Sequence, residues 1–363
     1  MEKLIRRSIT ESEAYIPILP LEVLEHDVGI SIDDMIKLDG NENVYGCSPR
    51  VQRALGDYPR YHIYPDPEQR ELRLALAEYV GLGDNHIVAG QGSDELIDLI
   101  LRLFIEPGDK VINCTPTFGM YSFSTQVCGG KVVEVPRNDN FVVDVAKVKS
   151  VIDECTKVLF LASPNNPTGN TIPESAIRDL LDTGLVVVVD EAYYEFSKET
   201  VAPLVACYEN LIVLRTFSKW AGLAGLRIGY GLFSPKIASY IMRIKQPYNV
   251  SVPASIAAIE SLKDIEYTRK TVDAIIKERQ RVFTKLQKVG IIQPIPSQAN
   301  FLLCSVIEWD AKAILGQLKQ NGIFVRHFDT PRLRNCLRIS VGKPKHTDAL
   351  IAALSDIKAR GLQ

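Results

Sequence analysis

The sequence predicts an α/β fold: a mostly parallel sheet flanked by helices in a large domain, with a smaller α+β domain at the C-terminal end. Three observations carry this. From about residue 85 to 233, short runs rich in β-branched residues alternate with longer amphipathic stretches. These runs are apolar throughout and do not alternate, which suits strands covered on both faces. After residue 295 the order changes to strand, helix, strand, strand, helix, the pattern of a second, smaller layered unit. Finally, 363 residues leave room for one large domain and a smaller one.

In chain order, a helix is expected to open at Ser93, where "SDELIDLILRLF" offers a hydroxyl N-cap, acids in the first turn and apolar residues three or four apart. No clear strand is read before it. The candidate strands follow: "KVINC" (110–114), "KVVEVP" (131–136), "KVLFLAS" (157–163), "LVVVV" (185–189), "LIVLR" (211–215) and "RIGYGLF" (227–233). Further helices are expected over "PASIAAIESL" (253–262) and, long and charged, from about Asp264 to Val289. After "IPSQANFLLCSV" (295–306) come a helix in "DAKAILGQLKQNG" (310–322), strands in "IFVRHF" (323–328) and "CLRISVG" (336–342), and a closing helix from His346. Two or three strands with helices on one side would complete this smaller unit. The expected division is an N-terminal arm, 1–38, packed on the small domain, a large domain, 39–255, and a small domain, 256–363. No internal repeat or low-complexity tract points to a solenoid or a tail.

Composition narrows the function classes. With 46% hydrophobic and 24% charged residues and a net charge of -2, no global field attracts nucleic acid or anionic lipid. Neither class of partner is expected. Seven cysteines without a CxxC pair read as reduced, mostly buried thiols, and five histidines without ligand spacing give no zinc site. The start, "MEKLIRRSITESEAY", lacks the apolar run of a secretory signal, and "LVVVV" is far too short to span a bilayer. The expected location is the cytoplasm.

Chemistry collects where three consecutive candidate strands end: "VLFLAS" runs into "PNNPTG" (164–169), "LVVVV" into "DEAYY" from Asp190, and "LIVLR" into "TFSK" from Thr216. Ligands of open parallel sheets bind outside the carboxyl ends of the strands. An aspartate after four valines needs a cation. Asp190 therefore reads either as a helix cap or buried salt bridge, or as the partner of a protonated heterocyclic nitrogen. Tyr193 and Asn166 read either as packing and turn residues or as hydrogen-bonding partners of an oxygen on the same ring. Lys219 is either one more solvated lysine or, beside Trp220, Ala221, Gly222, Leu223 and Ala224, a partly desolvated amine able to condense with a carbonyl. Thr216, Ser218, Arg227 and the helix start at "GSDE" (92–95) offer hydroxyls, a fixed cation and backbone N–H groups to a phosphate. "GQGSDE" has Glu95 at the last glycine position of GxGxxG, and no GxxxxGK[ST] occurs, which disfavours a dinucleotide and excludes a P-loop.

With these residues in view, the chain resembles the fold-type I aminotransferases that use pyridoxal 5'-phosphate, and within them the histidinol-phosphate aminotransferases. The resemblance rests on "LDGNENVYG", "YPDP", "PTFGMY", "PNNPTG", "DEAYYEF", "RTFSKWAGLAGLRIGYG" and "CLRISVG", in the family's order over almost the whole chain. It implies Lys219 as the cofactor-linked lysine and general base, Asp190 as partner of the pyridine nitrogen, and Tyr193 and Asn166 as donors to the ring hydroxyl. It also implies Ser93, Asp94, Thr216, Ser218 and Arg227 as the phosphate cup, Phe118 as the stacked aromatic, and Tyr64 as a residue reaching the phosphate from the other subunit of a homodimer. Arg338, Arg326, Asn43 and Tyr15 are implied to meet substrate. Around Tyr15 the chain departs from the common PYxPG, and Val44 and Cys47 stand where prolines are usual.

The implied reaction is transamination of histidinol phosphate with 2-oxoglutarate, giving glutamate. On the same core, an aromatic amino acid aminotransferase or a phospho-amino-acid decarboxylase is the alternative. A non-catalytic regulator would carry an added DNA-binding helix pair, and a dehydrogenase would bind nicotinamide instead.

Overall fold

The computed structural model describes residues 2–10 and 14–361. Twelve strands are found among them: β1 (Ile36–Leu38), β2 (Ile87–Gly90), β3 (Lys110–Asn113), β4 (Lys131–Glu134), β5 (Thr156–Ala162), β6 (Val186–Asp190), β7 (Leu211–Thr216), β8 (Gly229–Leu232), β9 (Ile292–Pro294), β10 (Phe301–Val306), β11 (Ile323–His327) and β12 (Cys336–Ser340). They form two sheets, one of seven strands in the order β2-β8-β7-β6-β5-β3-β4 and one of five in the order β1-β11-β12-β10-β9.

In the larger sheet β4, β3, β5, β6 and β7 are parallel neighbours, and β8 runs antiparallel between β7 and β2. The expectation of a mostly parallel sheet holds. The apolar runs are buried on both faces: Val187 and Val189 face one core, with Leu159, Val213 and Trp220, while Val188 faces another, with Phe160, Ile212 and Leu214. Side chains alternate across a strand, so a strand between two helix layers must be apolar at every position.

Several expectations need correction. A strand does precede the "GSDE" helix: β2 is only four residues, "IVAG", too short to stand out from the loop before it. The helix itself spans Gly92–Phe104 with Gln91 at the N-cap, so Ser93 lies inside the first turn rather than capping it. The closing helix begins at Pro344, two residues before His346. The small sheet has five strands, not two or three, because Ile36–Leu38 from the N-terminal segment adds in parallel to β11 and Ile292–Pro294 adds to β10. Both extra strands are three residues long and carry no periodic signal of their own.

The long helix Ile265–Val289 serves both cores. Val272 and Ile275 pack with the large sheet, and Val282, Leu286 and Val289 with the small one. Ala257 and Ala258, in helix Val252–Lys263, also belong to the large core. We propose that the domains divide within the long helix rather than at 255/256. The N-terminal segment touches both units: Arg6 Nη2 donates to Val127 O at 2.8 Å on the large-domain side, and β1 joins the small sheet. All seven cysteines are free thiols, with Cys114, Cys304 and Cys336 buried and Cys207 exposed. Among the described residues no helix is long and apolar enough to cross a membrane.

Candidate active site

β2, β3, β5, β6 and β7 run one way and β8 the other, so the loops after Gly90, Asn113, Ala162, Asp190 and Thr216 and the loop before Gly229 emerge at one edge. That edge is where ligands of open α/β sheets sit. The loops enclose a cavity of about 540 Å³ whose wall includes Ser93, Asp94, Phe118, Asn166, Asp190, Tyr193, Thr216, Ser218, Lys219 and Arg227. Residues 39–41, Arg338 of β12 and the segment with Tyr15, Pro17 and Ile18 close the remaining side.

Asp190 is 5% exposed and ends β6. Its Oδ2 accepts from Tyr121 Oη at 2.7 Å and its Oδ1 from Ala192 N at 3.0 Å. Burial pushes its carboxyl up to about 6, and the two hydrogen bonds pull only partly the other way. Its neighbour Glu191 shows the contrast. That carboxylate is met by Arg215 Nη2 at 2.9 Å, Thr200 and Val201 N, whereas no cation is paired with Asp190 among the described residues. A buried carboxylate that faces a cavity with two donors and no counter-charge fits a protonated ring nitrogen.

Lys219 enters the same cavity from the short helix Phe217–Trp220. Its Nζ donates to Gly40 O at 3.1 Å. Burial lowers the amine to about 8, and the guanidinium of Arg338 adds to that, so the neutral, nucleophilic form is far more accessible than on a surface lysine. Tyr193 accepts from Asn41 Nδ2 at 3.0 Å, which leaves its own proton free to donate, and burial pushes its phenol up to about 12. Asn41 is itself held on both sides: its N–H donates to Ser340 Oγ, its Oδ1 accepts from Ser340 Oγ at 2.8 Å, and its carbonyl accepts from Asn300 Nδ2 at 2.9 Å.

At the other end of the cavity Thr216 and Ser218 share a 2.9 Å hydrogen bond. Arg227 donates to Asp94 Oδ2 at 2.7 Å. A Cβ on Gly92 would stand 2.6 Å from Arg227 Nη2, and one on Gly229 2.5 Å from Ser93 N. Glycine at both positions therefore lets the guanidinium and the helix start approach each other closely. Hydroxyls, a guanidinium and the N-terminus of a thirteen-residue helix make a binding end for a phosphate. The carboxylate of Asp94 can serve such an anion only by orienting Arg227. On the substrate side Arg338 Nη1 donates to Asn166 Oδ1 at 2.6 Å and Nη2 to Asp39 O, while its buried Nε has no partner. The guanidinium of Arg338 in the cavity wall suits an anionic or carbonyl oxygen. The residues present thus fit pyridoxal 5'-phosphate at both its ring and its phosphate.

Residues 33–354 match the family of class I and II aminotransferases. The chain belongs to that family. This aminotransferase is 48% identical over 357 residues to the histidinol-phosphate aminotransferase of Dehalococcoides mccartyi strain BAV1, covering 98% of each chain. It is also 48% identical over 353 residues to the chloroplastic histidinol-phosphate aminotransferase of Nicotiana plumbaginifolia, covering 96% of this chain and 86% of that one. Among solved structures, the histidinol-phosphate aminotransferase of Sinorhizobium meliloti in complex with pyridoxal-5'-phosphate aligns with a TM-score of 0.89 at 30% identity, over 99% of this chain and 98% of that one.

Three residues singled out in the sequence stand away from the cavity wall of this aminotransferase. Tyr64 is 77% exposed and stacks on Tyr248 with ring centroids 4.5 Å apart. Asn43 is buried beneath the site, donating to Trp220 O at 2.8 Å and accepting from Tyr45 N. Arg326 donates to Ile16 O at 2.8 Å and Pro17 O at 3.4 Å, and so holds the segment that carries Tyr15 over the cavity. Tyr15 in turn meets Phe118 edge-on at 6.4 Å.

The sequence reading gave no role to Tyr121, Asn41 or Asp39, all of which line the aminotransferase site. Tyr121 and Asn41 sit inside the quoted motifs "PTFGMY" and "LDGNEN", but their partners are 69 and 152 residues away in the chain.

Proposed function

We propose that this aminotransferase transfers the amino group of L-histidinol phosphate to 2-oxoglutarate, giving imidazole acetol phosphate and L-glutamate in histidine biosynthesis, with pyridoxal 5'-phosphate as cofactor. One observation carries the chemistry: Lys219, an amine lowered to about 8, and Asp190, a carboxylate without a cation, face one cavity. The substrate is supported by the end-to-end similarity to histidinol-phosphate aminotransferases.

When bound, the cofactor supplies a carbonyl that exchanges amino groups and a protonated ring that accepts the electron pair left on the substrate carbon. Asp190 keeps that ring nitrogen protonated, because a buried carboxylate favours a cation against it. Lys219 Nζ, once released by amino-group exchange, takes the proton from the substrate carbon and delivers it to the cofactor carbon. Tyr193 and Asn166 hold the ring oxygen. Ser93, Thr216, Ser218 and Arg227 anchor the phosphate. Arg338 orients the substrate from the cavity wall, and Tyr15 and Ile18 shield the site from water.

A homodimer belongs to the same proposal. Tyr64 cannot serve its own cavity, from which it is absent, and it lies on an exposed apolar surface with Tyr61, Ile63 and Tyr248. A second copy would cover that surface.

The test is the visible absorption spectrum of the cofactor-loaded protein before and after adding histidinol phosphate, phenylalanine or threonine phosphate. Conversion of the bound aldehyde form to the amine form with histidinol phosphate is expected. A response to phenylalanine alone would transfer the assignment to an aromatic amino acid aminotransferase.

A further inference from the structure

The start of helix Gly92–Phe104, which forms part of the phosphate end of the cavity, is not held by its own cap. Gln91 is the N-cap and makes no side-chain cap bond. Instead Glu95 Oε2 reaches back to accept from Gln91 N at 2.6 Å. The same oxygen accepts from Asn249 Nδ2 at 2.8 Å. Asn249 also donates to Ala89 O at 3.2 Å, and its Oδ1 accepts from Gln69 Nε2 at 2.8 Å.

Gln69 completes the network. Its amide takes both backbone groups of Ala89, accepting from Ala89 N at 3.0 Å and donating to Ala89 O at 3.0 Å. β2 is an edge strand of the large sheet, and the side-chain amide satisfies it where a further strand would pair. Gln69 and Asn249 are both 6% exposed. Gln69 sits at φ 55°, a left-handed conformation that costs a non-glycine residue and is kept here by these two hydrogen bonds to Ala89.

The two residues come from the loops that carry the exposed tyrosine pair. Asn249 follows Tyr248 directly, and Gln69 lies five residues after Tyr64. Lys245 Nζ ties the loops together a second time through Pro67 O at 2.8 Å and Pro247 O at 3.2 Å. Hydrogen bonds therefore join the loops that carry the Tyr64–Tyr248 stack, through Gln69 and Asn249, to the backbone that precedes Ser93.

We propose that Asn249 is a positioning residue for the cofactor phosphate. By holding the Glu95 carboxylate on Gln91 N, it fixes residues 90–94 in the form that receives the phosphate and couples that form to the tyrosine surface. The inference rests on the cofactor assignment made above. It adds a residue that lies outside the wall of the site cavity.

The experiment is titration of cofactor-free protein with pyridoxal 5'-phosphate, read by absorbance, alongside thermal unfolding of the same cofactor-free samples. Asn249→Asp removes the donor and sets a second carboxylate against Glu95. Its dissociation constant for the cofactor is expected to rise about tenfold or more, equivalent to about 1.4 kcal/mol. Pyridoxal, which lacks the phosphate, is titrated in parallel, and its dissociation constant in Asn249→Asp should stay within about threefold of the parent's. An unchanged constant in Asn249→Asp overturns the proposal. So does an equal loss of affinity for pyridoxal, since that is a packing defect. If Asn249→Asp does not fold, Asn249→Ser, which deletes the amide without adding charge, takes its place in the titration, and parental binding there overturns the proposal equally. Failure of the parent protein itself to bind the cofactor would instead defeat the functional assignment.

Discussion

Tyr121 Oη donates to Asp190 Oδ2 at 2.7 Å, joining the first turn of helix Met120–Cys128 to the end of β6. Tyr121 is fully buried and stacks on Phe160 with centroids 4.7 Å apart, so its hydroxyl is aimed by packing rather than by chance. This bond lowers the Asp190 carboxyl against the larger effect of burial. In Tyr121→Phe that opposing bond is gone and the carboxyl rises further above 6. A hydrogen bond to a charged group is worth about 1.5–3 kcal/mol, so the acid limb of cofactor binding should move up by about one pH unit or more. Titrating the cofactor into the variant from pH 5 to 8 measures it, and an acid limb identical to that of the parent would contradict the role given to Tyr121.

The raised Asp190 carboxyl has a stability consequence in the cofactor-free protein. Its folded value of about 6 lies above its ordinary 3.8, so the folded state holds the proton more tightly. The stabilisation from that proton is fully present below pH 3.8 and is lost as pH rises through 6. Relative to a neutral isostere, the ionised carboxylate then costs about 3 kcal/mol. Asp190→Asn should therefore stabilise the cofactor-free protein at pH 7.5 and leave it nearly unchanged at pH 4, while abolishing transamination. Urea midpoints at the two pH values decide this. A variant no more stable than the parent at pH 7.5 would show that Asp190 is not under strain.

Lys219 should announce itself by reactivity. With its amine lowered to about 8 by burial and by Arg338, its neutral fraction rises through pH 8, two units or more below that of ordinary lysines. Reductive methylation of cofactor-free protein with formaldehyde, followed by peptide mapping, is expected to label Lys219 with a midpoint near pH 8, and prior loading with cofactor should block it. Labelling of Lys219 that tracks the surface lysines, near pH 10, would remove the chemical basis for its role.

Gly229 tests the phosphate end from behind. A Cβ there would lie 2.5 Å from Ser93 N, 2.8 Å from Gly92 C and 2.9 Å from Arg215 O, all backbone atoms. Gly229→Ala must push the helix start away from β8, at about 1–3 kcal/mol. Both the stability of the cofactor-free protein and its affinity for the cofactor should fall, measured by urea unfolding and by absorbance titration. Parental affinity in a folded Gly229→Ala variant would show that the phosphate end does not depend on this close approach.

By itself the sequence determined the large sheet and the two central chemical groups. Asp190 and Lys219 were legible because each lies at or just past the end of a candidate buried strand, and the ends of parallel strands lie at one edge whatever the loops do. Tertiary structure alone decided the rest. The three-residue strands β1 and β9 exist only because a neighbouring strand offers them hydrogen bonds, and they carry no period that could be read beforehand. Tyr121 and Asn41, and likewise Gln69 and Asn249, owe their roles to partners from 20 to 180 residues distant. A side-chain hydrogen bond forms over about 3 Å and leaves no periodicity in the chain. Residue spacing predicts the layers, because burial repeats along an element, but only folding brings together the donors and acceptors that aim the site.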